Sequence, residues 1–106
     1  MEFRVDVSER AARDLKLLFL AIRADESESA ARWFNGMERA IESLAERPTC
    51  CPVAPESRSR RVIRQLLYGR KPHIYRVLFQ TDSKNRTVRV LHIRHGARRP
   101  GRLPLQ

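Results

Sequence analysis

Leu66 to Gln80 reads LLYGRKPHIYRVLFQ, and Val88 to Arg99 reads VRVLHIRHGARR. In the first stretch Tyr75, Val77 and Phe79 alternate with Ile74, Arg76, Leu78 and Gln80. Alternation with a period of two is the signature of a strand, because successive side chains point to opposite faces. Tyr75, Val77 and Phe79 form the more apolar set and are expected to face the core. Arg76 then stands as a cation in mid-strand on the other face. In the second stretch Leu91, Ile93 and His95 share one parity, and Val90, His92 and Arg94 share the other. Both parities carry apolar residues, so this strand is expected to be central and covered on both sides. Which of His92 and His95 faces the core stays open.

Turn signals separate the strands. Gly69 to Pro72 reads GRKP and Asp82 to Asn85 reads DSKN, and both are turn compositions. Three strands are therefore expected, over Val62–Tyr68, His73–Thr81 and Thr87–His95. Connections this short imply an antiparallel meander. Upstream, RPTCCPVAPESRSR over 47–60 holds three prolines and reads as a loop.

The N-terminal half has a different period. Glu2 to Val7, EFRVDV, alternates as a strand. Ser8 is a helix N-cap with Glu9 in the first turn. Ala12, Leu15, Leu18, Phe19 and Ile22 then recur at helical spacing. Asp25 and Glu28 resemble a capping box, followed by a second amphipathic pattern of Ala30, Trp33, Phe34, Met37, Ile41 and Leu44. Pro48 closes it. The order is β-α-α-β-β-β. The fold class is α+β, with an N-terminal helical hairpin packed on one face of a small, mainly antiparallel sheet. At 106 residues the chain suits a single domain. The segment 99–106 is expected to be a basic, flexible tail.

Charge is distributed unevenly. Residues 1–46 hold 7 Lys+Arg against 10 Asp+Glu, a balance of −3, whereas residues 47–106 hold 15 against 2, a balance of +13. Only Lys16, Lys71 and Lys84 are lysines. An arginine-rich half favours an anionic partner through planar, bidentate contacts. No apolar run reaches the roughly 20 residues that span a bilayer, and the N-terminus lacks a basic-then-apolar export pattern. Cys50 and Cys51 are adjacent and form no disulfide framework. A reducing, cytoplasmic setting is expected, with no membrane contact. No spaced Cys/His set suggests a metal, and no cofactor is expected.

The order of elements, with LLYGRKPHIYRVLFQ followed by VRVLHIRHGARR and with CPVAPES before the sheet, resembles the RelE/ParE toxin superfamily over nearly the whole chain. The segment CPVAPES and the pair YRVLF and HIRHGARR resemble its ParE side, the plasmid stabilisation toxins. The resemblance implies a type II toxin, held inactive by an acidic antitoxin encoded in the adjacent gene. On the ParE side it implies a non-enzymatic inhibitor of DNA gyrase. On the RelE side it implies a metal-independent endoribonuclease that cuts mRNA on the ribosome. A third possibility is an antitoxin-binding domain with weak or lost toxicity.

The nuclease alternative needs a base for the 2′-OH, cations for the developing phosphorane charge and an acid for the leaving oxygen. Arg76 falls where the RelE-like pattern has a mid-strand catalytic arginine. Arg98 lies near its second arginine, and His92 or His95 would supply the acid or base. Two departures weigh against this. The tail RPGRLPLQ lacks the RelE-like C-terminal aromatic, and Arg64 and Gln65 stand where that pattern carries a lysine pair. For Arg76 the structural alternative is an ion pair with a helix carboxylate or a side chain that snorkels to solvent. For the histidines it is a satisfied packing role. Arg64, Arg76, Arg94, Arg98, Arg99 and Trp33 are the candidate residues for binding an antitoxin or target.

Overall fold

The computed structural model describes residues 2–96. The expectations for Arg98, Arg99 and the 99–106 tail lie outside the described residues.

Each element begins where the sequence changes period. Strand β1 (Arg4–Val7) ends at Ser8, whose side-chain oxygen accepts from the Ala11 N–H at 3.1 Å and so caps α1 (Glu9–Ala21). The same hydroxyl donates to the Leu91 carbonyl at 3.1 Å. One residue therefore satisfies a helix end and ties it to the sheet. Helix α2 (Glu28–Glu42) is capped by Ser27, which accepts from the Ala30 N–H at 3.3 Å. The expected Asp25 cap is thereby corrected. The chain turns through 22–26, so the entry to α2 falls two residues later than Asp25. Single 3₁₀ turns follow at Ser43–Ala45 and Pro48–Cys50.

Strands β2 (Arg64–Arg70), β3 (His73–Asp82) and β4 (Thr87–His95) complete a sheet of order β1-β4-β3-β2. The pairs β2–β3 and β3–β4 are antiparallel, and β1 runs parallel to β4. The α+β order β-α-α-β-β-β and the mainly antiparallel sheet are as expected, and β4 is a central strand. The turn expected at Gly69–Pro72 is shorter, because β2 continues through Arg70. Gly69 permits this, with φ of 105° and a position where a Cβ would lie 2.3 Å from the His73 carbonyl oxygen.

The main core lies between the helices and one face of the sheet. Leu18, Phe34, Met37, Ile41 and Leu44 meet Val77, Phe79, Val88, Val90 and Ile93. Each large side chain fully buried here contributes roughly 1.5–3 kcal/mol. The Phe19 and Phe34 rings add an edge contact at 5.2 Å. On the opposite face, which we call the far face, the loop after α2 folds back over the sheet. Ala54 and Ile63 from that loop pack on Leu78 and Leu91. The Ala54 N–H donates to the Ile63 carbonyl at 2.7 Å and the Gln65 N–H to the Pro52 carbonyl at 3.0 Å.

Strict alternation fails in β4. Phe79 pairs with Val90 but Leu78 pairs with His92, so Leu91 is an extra residue at a β-bulge. The bulge reverses side-chain phase. Val90 and Ile93, expected on opposite faces, both enter the helix-side core, while Leu91 enters the far-face cluster.

Candidate functional site

The sequence-derived candidates fall into three groups. The first is on the far face. Arg76 on β3 and Arg94 on β4 are register partners, so their side chains emerge side by side. The loop delivers Glu56 to both. Arg76 Nη1 donates to Glu56 Oε2 at 2.8 Å and Nη2 to Oε1 at 2.5 Å, a bidentate fork. Arg94 Nη1 donates to Glu56 Oε2 at 3.2 Å, and Arg76 Nε donates to Gln65 Oε1 at 2.8 Å. The Arg76 and Glu56 side chains are only 7% and 1% exposed. Burial pushes the Glu56 carboxyl upward, but the Arg76 hydrogen bond and the charges of Arg76 and Arg94 outweigh it, and the net shift is downward. Arg76 does have an ionic partner, as one structural alternative held, but it comes from the loop and not from a helix. Arg64 serves the same loop from the next strand, its Nη1 donating to the Cys51 carbonyl at 2.7 Å.

The second group lies at the helix-facing end of the sheet. Tyr68, Tyr75 and His95 form a cross-strand row over β2, β3 and β4. Trp33 of α2 contacts Tyr68 and Tyr75 edge-on at 5.1 and 5.6 Å. His95 contacts Tyr75 at 4.9 Å and His73 at 6.0 Å. The Tyr68 hydroxyl donates to the Trp33 carbonyl at 2.6 Å. That reach explains a glycine in mid-helix, because a Cβ on Gly36 would sit 2.2 Å from the Tyr68 hydroxyl oxygen. Trp33, Tyr75 and His73 line an open, mostly apolar groove with Ala21, Ile22 and Ala30. It continues past Tyr68 to Arg70 and Lys71.

The third group answers the question left open for His92. His92 Nδ1 is hydrogen-bonded to the Asp14 carboxylate of α1. The same Asp14 oxygen accepts from the Ile93 N–H at 3.0 Å, and Arg10 donates to the other oxygen at 3.3 Å. Beyond Val90 the β4 edge has lost its β1 neighbour, and a carboxylate takes the strand's place. Burial raises the Asp14 carboxyl, whereas the hydrogen bonds from His92 and Ile93 and the charges of His92 and Arg10 pull it below its ordinary value. His92 and His95 therefore have different partners.

Sequence reasoning missed Glu56 and Asp14. Glu56 did leave a signal, since only it and Asp82 are acidic among residues 47–106. Among the described residues no group of three or more His, Cys, Asp or Glu is placed to hold a metal. No described helix is long and apolar enough to cross a membrane. Cys50 and Cys51 are free thiols.

A helical hairpin on a four-stranded sheet in the order β-α-α-β-β-β is a fold shared with solved toxins of type II toxin–antitoxin systems. The chain aligns with a structure of the chromosomal ParDE toxin–antitoxin system from P. aeruginosa at a TM-score of 0.67 and 16% identity, covering 88% of this chain and 95% of that one. It aligns with a free mutant of the E. coli toxin RelE at 0.61 and 13% identity, over 92% and 86% of the two chains. The RelBE2 toxin–antitoxin complex from Mycobacterium tuberculosis gives 0.57 and 24% identity, over 90% and 99%. No curated protein matches by sequence. The family model described as the ParE toxin of the type II toxin–antitoxin system parDE matches residues 5–100, and the chain belongs to that family.

Proposed function

We propose that this chain is a gyrase-directed toxin, acting in the cytoplasm without catalysis of its own and neutralised by an acidic antitoxin encoded beside it. The observation that carries this reading is the condition of Arg76. A nuclease of the RelE kind needs that mid-strand cation free to meet a developing phosphorane charge. Here its guanidinium makes three hydrogen bonds, two to Glu56 and one to Gln65, and its side chain is 7% exposed. Family membership on the ParE side supports the same reading.

Tightly controlled expression, followed by gyrase supercoiling and cleavage-complex assays beside mRNA cutting on programmed ribosomes, tests it. Gyrase inhibition without ribosomal cutting is the expected result. Ribosomal cutting with gyrase untouched would overturn it and favour the endoribonuclease. For the antitoxin, Trp33 and its groove offer an apolar seat rimmed by Arg70 and Lys71, which suits an acidic segment with an apolar anchor. Trp33→Ala is expected to weaken antitoxin binding by about 2 kcal/mol, roughly thirtyfold. Unchanged affinity by calorimetry would remove Trp33 from that surface.

A further inference from the structure

The far face has a second end. Along β3 the residues Arg76, Leu78, Gln80 and Asp82 share it, and Leu78 lies under the loop. Beyond the loop the sheet is uncovered. There Arg89 of β4 lies between Gln80 of β3 and Asp6 of β1 in register. Arg60 and Arg61 come in from the loop, and Arg4 from β1, so that four guanidinium groups from three segments line one groove.

Two carboxylates share this groove, and both have partners already. Asp6 pairs with Arg4 at 3.1 Å. Asp82 accepts from the Asn85 backbone at 3.1 Å and from the Asn85 side chain at 2.7 Å. Among the described residues the side chains of Arg60, Arg61 and Arg89 have no hydrogen-bond or ion-pair partner. Thr81, Thr87 and Asn85 supply further hydrogen-bonding groups beside them. Among the described residues no aromatic ring lines the groove, and Val62 is the only large apolar residue there. It can neither stack bases nor seat the apolar anchor of a peptide. What it offers is a set of forked cations spaced along a shallow surface, the chemistry of phosphate contacts that position a duplex without reading it.

We infer that this groove binds the phosphate backbone of a nucleic-acid duplex, with Arg60, Arg61 and Arg89 as the phosphate ligands and no base-specific contact. The inference does not rest on gyrase as the target. A toxin that holds duplex phosphates directly could engage its target where nucleic acid is already bound.

The test is fluorescence anisotropy of the purified full chain with labelled duplexes of about 20 base pairs, one DNA and one RNA, over roughly 50–200 mM salt. The wild type is expected to bind independently of sequence, with affinity falling as salt rises. Each phosphate contact contributes about 0.9 to the log–log salt slope. The combined variant Arg60→Gln, Arg61→Gln and Arg89→Gln should therefore have a slope shallower by roughly 3. A variant that removes the same charge from the helices, Arg13→Gln, Arg32→Gln and Arg39→Gln, should keep the wild-type slope. A preference between DNA and RNA identifies the source of the duplex. No binding by the wild type, or equal loss in both variants, overturns the inference. So does tighter binding to polyglutamate than to either duplex. The assay contains no gyrase, ribosome or antitoxin, so its outcome is separate from that of the proposed function.

Discussion

The two ends of the far face carry the same residue type in opposite conditions. At one end Arg76 and Arg94 converge on Glu56 and are closed to solvent. At the other, four residues along β3 and roughly 14 Å away at strand rise, Arg60 and Arg89 are exposed, and Arg61 is half-buried. The difference is where the carboxylates are spent: Glu56 meets Arg76 and Arg94, whereas Asp6 and Asp82 at the other end are held by Arg4 and Asn85. The loop brings Glu56 to the first end and Arg60, Arg61 and Val62, with no carboxylate, to the second. An arginine count therefore says little about function until each guanidinium has been followed to its partner. In this chain the engaged arginines hold the loop to the sheet, whereas Arg60, Arg61 and Arg89 have no such partner among the described residues.

The strongest way to break this contrast is Glu56→Ala. It leaves two buried guanidinium groups without their carboxylate, and breaking a buried pair from one side costs about 3–5 kcal/mol. Urea denaturation should show a fall of that size, and a change below about 1 kcal/mol would mean that the clasp is not structural. Asp14→Asn comes next, at about 1–3 kcal/mol, because it weakens an acceptor shared by His92 and the Ile93 N–H. Restoration of wild-type stability by an added His92→Phe would show that the cost lies with the histidine and not with the strand edge.

Acid sharpens the comparison further. The folded Glu56 carboxyl lies below its ordinary 4.5. Its stabilising contribution is thus fully present above that pH and is lost as pH falls through the folded value. The stability gap between wild type and Glu56→Gln should narrow below pH 4.5, as the wild-type carboxyl takes up its proton. A gap that stays constant down to the acid transition would contradict the downward shift. The smallest effect belongs to the other end of the face. Replacing Arg60, Arg61 and Arg89 by Gln should leave the thermal midpoint and its pH dependence unchanged, because solvated charges without partners, two exposed and one half-buried, contribute little to folding. A large drop in the midpoint would place those side chains in the folded core's support.

Much of this fold could be read from local pattern. Ser8 as a cap, the apolar spacing of α2 and the parity of β3 all follow from one-dimensional periodicity, and the structure agrees with each. On α1 Leu15, Leu18, Phe19 and Ile22 meet the core as expected, but Ala11 is buried there and the expected Ala12 is exposed. The misses share a cause, which is that they depend on what arrives from elsewhere in the chain. Asp25 and Ser27 are both good caps, and the path of the turn between the helices decides between them. Arg76 announces a buried cation, but its partner lies 20 residues upstream in a loop whose course has no period. His92 was ambiguous because a bulge reverses phase between it and Val90. The adjacent apolar pair Val90-Leu91 was the trace of that bulge in the sequence.

Leu91 gives the bulge a consequence of its own. Deleting it would leave β4 with an unbroken alternation, Val88, Val90, Ile93 and His95 on one side, and a strand that matches β3 residue for residue. Such a strand would look more regular and would lack the side chain on which Ala54 and Ile63 rest. The loop would lose part of its seat, and Glu56 would lose the scaffold that aims it at Arg76. A single irregular residue in one strand thus decides whether the neighbouring strand's arginine is a buried strut or an open cation.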